Sequence, residues 1–265
     1  ESRVVNLATL GAVGTGDNVL IGGFVVEGDQ ATDVLIRGRG PSLARFGIEG
    51  VLPNPALRVF SGAQLVESND TWSAHPRIAD VPSSLADFDP AEAAVVLTLP
   101  PGPYTAILED ADGVGGVGIV EVFELGEPEG ARLLNVSTRG FVGQGDEVMI
   151  GSVIIDGDYP RQLVFRARGP SLAAFGLTGT LDNPVLQLFD VGGESVASND
   201  DWQQDNVADI PAAHAPSDPR ESVLLVTLEP GAYTAIVRGA DLGTGIAIVE
   251  AIDVTPPITV EVEIE

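Results

Sequence analysis

The chain has 265 residues, with 13 arginines and no lysine against 39 acidic residues, a formal net charge of −26, and no cysteine. The missing lysines exclude a Schiff base, a P-loop lysine and an internal lysine–asparagine isopeptide bond, and the missing cysteines exclude disulfides, thiolate metal sites and a thiol nucleophile. A polyanion with pI near 4.1 is repelled by nucleic acid and by anionic lipid surfaces, which sets both aside as partners.

From the N-terminus, Glu1-Ser2-Arg3 runs directly into strand-like sequence without a signal peptide ahead of it. That start fits a cytoplasmic protein or a mature secreted one whose leader has been removed. No apolar run approaches the roughly 18 residues of a membrane span, so membrane insertion is not expected.

An internal repeat sets the organisation. Arg3-Val4-Val5-Asn6 returns as Arg132-Leu133-Leu134-Asn135, and Arg37-Gly38-Arg39-Gly40-Pro41-Ser42-Leu43 as Arg166-Ala167-Arg168-Gly169-Pro170-Ser171-Leu172. Ser68-Asn69-Asp70 with Trp72 returns as Ser198-Asn199-Asp200 with Trp202, and Pro101-Gly102-Pro103-Tyr104-Thr105-Ala106-Ile107 as Pro230-Gly231-Ala232-Tyr233-Thr234-Ala235-Ile236. The chain is a tandem duplication, 1–126 and 127–255, with a short Gly- and Pro-bearing connection at Gly126-Glu127-Pro128-Glu129-Gly130 that keeps the copies close.

Within each copy, β-branched runs such as Val19-Leu20-Ile21, Val34-Leu35-Ile36, Ala94-Val95-Val96-Leu97 and Ile119-Val120-Glu121-Val122 alternate with turn residues. Single helical turns are expected at Ser42–Phe46 and Ile78–Leu85. The pattern predicts an all-β protein: two tandem antiparallel β-sandwich domains of seven to nine strands each, suited to a jelly roll.

Four candidate features follow in chain order. Gly14-x-Gly16-Asp17 lies between strands and reads as a turn, since a phosphate cradle needs a following helix. Arg37 with Arg39, and Arg166 with Arg168, are spaced by two and so face one side of a strand. Such pairs recognise anions or build ion pairs to strand carboxylates such as Glu121 and Glu250, and the repeated local context favours structural ion pairs. The Ser-Asn-Asp segments cap a turn or supply oxygens to calcium, with Asn69, Asp70, Asn199, Asp200 and Asp201 as ligands and Asp80, Asp89, Glu92, Asp209, Asp218 and Glu221 recurring downstream. Asp110-Ala111-Asp112-Gly113 has the wrong spacing for an EF-hand and reads as a hairpin turn. His75 and His214 occupy different places in the two copies, and no nucleophile elbow or zincin motif occurs, so no enzyme is expected.

After Thr255-Pro256-Pro257, the segment Ile258-Thr259-Val260-Glu261-Val262-Glu263-Ile264-Glu265 alternates apolar and polar residues without a fault. Residues 256–265 therefore form a surplus C-terminal strand arm, with Ile258, Val260, Val262 and Ile264 on one face. It folds back on its own domain, adds to the sheet of a neighbouring subunit to build a head-to-tail homopolymer, or belongs to a longer protein of which this chain is a part.

An apolar strand leading to Ser-Asn-Asp, an acidic loop, then Leu-x-Pro-Gly-x-Tyr-Thr-Ala-Ile and a Gly-rich hairpin resembles the bacterial pre-peptidase C-terminal domain, over roughly residues 55–125 and 184–254. That resemblance implies a secreted β-sandwich, with calcium in some relatives, at the cell surface or outside the cell. The combined expectation is an extracellular structural subunit of a surface filament or layer, stabilised by calcium. The alternative is a monomeric secreted binding or adhesion module for polysaccharide or protein.

Overall fold

The computed structural model describes residues 2–126, 131–204 and 209–256. The C-terminal strand Ile258, Val260, Val262 and Ile264 therefore lies outside the described residues.

The first repeat contains β1 (Arg3–Val13), β2 (Leu20–Gly28), β3 (Thr32–Arg39), β4 (Pro55–Ser61), β5 (Gln64–Asn69), β6 (Ala93–Leu99), β7 (Gly102–Asp110) and β8 (Gly116–Glu124). The second matches it with β9 (Ala131–Val142), β10 (Met149–Asp156), β11 (Arg161–Arg168), β12 (Pro184–Asp190), β13 (Ser195–Asn199), β14 (Ser222–Leu228), β15 (Gly231–Gly239) and β16 (Gly245–Asp253). The expected helical turns appear as 3-10 turns at Pro41–Phe46, Ile78–Asp80 and Ser83–Leu85. The protein is all-β.

Each repeat divides into sheets ordered β6-β3-β8-β1 and β2-β7-β4-β5, with the matching orders β14-β11-β16-β9 and β10-β15-β12-β13 in the second, which is the jelly-roll arrangement. The sheets do not stop at the repeat boundary. β1 pairs with β8 of its own repeat and, along its other edge, with β10 of the second. β9 does the converse, pairing with β16 and with β2. Two eight-stranded antiparallel ladders result, β13-β12-β15-β10-β1-β8-β3-β6 and β5-β4-β7-β2-β9-β16-β11-β14, touching at Ala12 opposite Phe141.

The inward faces of both ladders share one apolar core that runs through both repeats, from Leu57, Leu108 and Val34 to Leu186, Val237 and Phe165. A core common to both halves is larger than either repeat would have alone, which favours cooperative unfolding. Corresponding residues meet at the seam. Buried Thr9 and Thr138 face each other, and the Thr9 hydroxyl donates to Thr138 Oγ1 at 2.8 Å, so neither polar group is left unsatisfied in the core. Beside them, a Cβ on Gly140 would lie 2.7 Å from Leu20 Cδ1, so a larger residue there would displace the buried Leu20 side chain.

Candidate functional site

The repeated motifs of the sequence converge on the outer face of the β6-β3-β8-β1 sheet, under the long β5–β6 connection. That connection covers the sheet with a second small core: Val81 and Phe88, with Trp72, Ile78 and Leu85, pack on Leu35, Ala94 and Val96. In the second repeat Trp202 and Ile210 cover Val164, Val223 and Ile252.

Asn69 anchors the start of this strap. Its Oδ1 accepts the Ala94 N–H at 3.0 Å and its Nδ2 donates to the Thr71 carbonyl at 2.9 Å. Trp72 then donates its backbone N–H to Glu92 O and its indole N–H to Asp89 O, while its ring stacks on Phe88 at 4.8 Å. Asn199 and Trp202 repeat the arrangement: Asn199 Oδ1 accepts the Val223 N–H at 3.0 Å, and the Trp202 indole donates to Asp218 O at 3.1 Å.

Beneath the strap the arginine pair converges on one carboxylate. Arg37 Nη2 lies 2.7 Å and Arg39 Nη1 3.6 Å from Glu121 Oε2. Arg37 also donates to Leu85 O at 2.6 Å and sits 4.7 Å from the Phe123 ring centroid. Burial pulls its guanidinium below the usual range, opposed by the nearby Glu121 charge. In the second repeat Arg166 and Arg168 lie 2.8 Å and 3.1 Å from Glu250 Oε2, and Arg166 donates to His214 O at 2.9 Å. The backbone carbonyl of His214, at the place of Leu85, makes this contact. Burial lowers the pKa of its ring and of the His75 ring.

A second buried carboxylate organises the Gly-Pro-Ser turn. Glu92 Oε1 accepts the backbone N–H of Gly40 at 3.2 Å and of Ser42 at 3.0 Å, and the Ser42 hydroxyl at 2.5 Å. Its Oε2 accepts the Asp89 N–H at 3.0 Å. The turn demands glycine at its head, because a Cβ on Gly40 or Gly169 would strike the Leu52 or Leu181 carbonyl oxygen at 2.0 Å or 2.1 Å. Glu221 holds the second turn through Gly169 N and Ser171 N, while its Oε2 and the Ser171 hydroxyl have no partner among the described residues.

Of the residues considered as calcium ligands, Asn69 and Asn199 therefore have their amide oxygens in strap hydrogen bonds. Asp70 and Asp200 are exposed and Asp201 is half-buried. The Asp200 carboxyl titrates above its usual value, through partial burial and the adjacent Asp201 charge. Among the described residues no three acidic or imidazole side chains stand close enough together to share a metal ion. Asp110 caps the β7–β8 hairpin, its carboxylate accepting the N–H groups of Asp112 and Gly115. Tyr104 and Tyr233 hydrogen-bond Pro100 O and Glu229 O, closing the turn before their own strands.

Other surface features were not singled out from the sequence. Phe46 and Phe175, at the ends of the two matching 3-10 turns, are 73% and 77% exposed. Two open grooves flank Phe141 at the seam, of about 390 Å³ and about 450 Å³. Leucine and phenylalanine in Leu-Ala-x-Phe read alike in sequence, although Leu43 and Leu172 are buried and the phenylalanines are not.

No protein-family model and no curated protein matches the sequence. Among solved structures, a DUF4785 family protein from Legionella pneumophila is similar at 7% identity with a TM-score of 0.23, over 94% of this chain and 82% of that one. A likeness at that score carries no argument about fold or role.

Proposed function

We propose that the chain is an extracellular structural subunit of a bacterial surface filament or layer, whose subunits join head to tail by strand addition. The observation that carries this reading is the disposition of sheet edges. The β1, β2, β9 and β10 edges are closed against each other, so among the described residues the two ladders end in β5, β6, β13 and β14, each paired on one side. Leu65 and Val66 on β5 and Val196 on β13 are exposed, and an unpaired edge with apolar side chains is a template for an incoming strand. The alternating sequence 258–265 supplies a strand of the matching kind.

Backbone pairing of this sort offsets the repulsion between subunits of charge −26, which salt screens over about 8 Å at physiological ionic strength. The resemblance to pre-peptidase C-terminal domains supports the extracellular setting. Calcium has a narrower place in this proposal. The exposed carboxylates of Asp70 and Asp200 recruit it only with ligands from a neighbouring subunit, so it leaves the melting temperature of the isolated subunit unchanged. A calcium-dependent rise of several degrees in the monomer would return the ion to the subunit itself.

Light scattering on the full chain and on a chain lacking 258–265 tests the reading. Loss of large species in the shortened chain, at an unchanged melting temperature, is expected; a full chain that stays monomeric at high concentration overturns it. The second reading, a monomeric binding module, is favoured by the exposed apolar side chains at one end of the sandwich.

A further inference from the structure

We propose that this end of the molecule is a docking face for a basic, apolar-bearing segment of a partner protein, anchored by Phe46 and Phe175. The proposal is independent of the filament reading.

Both phenylalanines close a Gly-Pro-Ser-Leu-Ala-x-Phe-Gly turn, followed by Gly47 and Gly176 in the left-handed region at φ 81° and 83°. The glycines let the chain turn sharply and leave the rings in solvent. Folding uses the neighbouring Leu43 and Leu172, which are buried, so it gives no reason to keep an exposed aromatic ring. Yet both repeats keep it, although they share only roughly two positions in five, and although nearby Arg45 and Glu49 have become Ala174 and Thr178.

The same end carries Val114 and Leu242, 75% and 74% exposed in the β7–β8 and β15–β16 connections. The loops of both repeats face each other across the seam, where the two grooves share Asn18 and Phe141. Val13, Val114, Val117 and Phe141 line the first groove, with Glu49 and Glu147 at its walls; Leu177 and Ile246 line the second, with Asp17. Apolar surface of this kind, framed by acids, is typical of an interaction face.

Charge selects the occupant. Eleven of the 13 arginines are in ion pairs with the protein's own carboxylates, so few cations are free to receive an acidic surface. A second copy would set Asp17, Glu49 and Glu147 against like charges, without the backbone pairing that a sheet edge offers. An anionic bilayer meets the same repulsion. A segment bearing lysine or arginine between apolar side chains complements both the phenylalanines and the carboxylates.

The test uses the full chain and two peptides of equal length and charge, one alternating lysine with leucine and the other lysine with serine. The leucine peptide is expected to bind about tenfold more tightly. Phe46→Ala/Phe175→Ala should abolish that preference while leaving the serine peptide and the melting temperature unchanged. Glu49→Gln/Glu147→Gln should weaken both peptides, and the same exchange at Glu194 and Glu229 should affect them less. Equal binding of the two peptides by the wild-type chain overturns the proposal, as does a preference that survives loss of both phenylalanines.

Discussion

The two repeats solve one problem, how to bury a carboxylate under a strap, to different degrees of completion. In the first, Glu92 accepts from Gly40, Ser42 and Asp89, and the Ser42 hydroxyl passes the contact on to Arg39, which donates to it at 2.7 Å and 3.0 Å. In the second, Glu221 keeps the two backbone contacts, but Arg168 turns to Glu250 and the Ser171 hydroxyl has no partner among the described residues. The straps differ in the same sense. Trp72 stacks on Phe88, where the second repeat has Ser217. The backbone contacts survive in both repeats because they fix the turn; the side-chain network around them is where the copies have diverged. This contrast predicts that the buried carboxylate holds the first Gly-Pro-Ser turn more firmly than the second.

The largest expected effect follows from the buried carboxylates. Glu92→Ala strands several buried donors and should cost about 4 kcal/mol, against about 2 kcal/mol for Glu221→Ala, both read from urea unfolding. Equal costs would erase the contrast. Next come the tryptophans: Trp72→Ala should cost about 4 kcal/mol and Trp202→Ala about 1 kcal/mol less, for want of an aromatic partner. Thermal unfolding of the two variants checks the order.

The seam gives a smaller, shared effect. Thr9→Val leaves the Thr138 hydroxyl buried without a partner and should cost about 1–2 kcal/mol, while Thr9→Val/Thr138→Val recovers most of that loss. A double variant as unstable as the sum of the two singles would remove the Thr9–Thr138 bond from the account of the seam.

The smallest effect is a pH dependence at Asp33 in the first repeat. Arg77 bridges Asp33 and Asp80, and its hydrogen bond, with that of Thr98, holds the Asp33 carboxyl below its ordinary 3.8. Because the folded value is the lower one, the stabilisation is present above pH 3.8 and is lost as pH falls through the folded value. Asp33 is partly exposed, so screening limits the contribution to about 0.5 kcal/mol. In acid titrations of stability, Asp33→Asn should converge with the wild type below that range and fall beneath it above.

Much of the fold was legible from the sequence. Repeated β-branched runs between turn residues predict seven to nine strands in each repeat, a range that holds the observed eight, and the spacing of Arg37 with Arg39 places both on one face with Glu121. The joining of the repeats was not legible. β1 shows the same alternation whether its second edge meets its own repeat or β10, because side-chain patterning specifies a face and not a neighbour. Glu92 and Glu221 read only as acids recurring downstream of the calcium candidates, for a similar reason. Only the fold brings the unpaired N–H groups of Gly40 and Ser42, or of Gly169 and Ser171, to a carboxylate some fifty residues away.

Assembly at an open sheet edge is the central claim, and electron microscopy of the full chain at physiological ionic strength tests it most directly. Filaments or layers are expected for the wild type, and they should be absent when charge is placed on the β5 and β13 edges by Leu65→Lys/Val196→Lys. Monodisperse single particles in the wild type, or polymers unaffected by those edge charges, would contradict it.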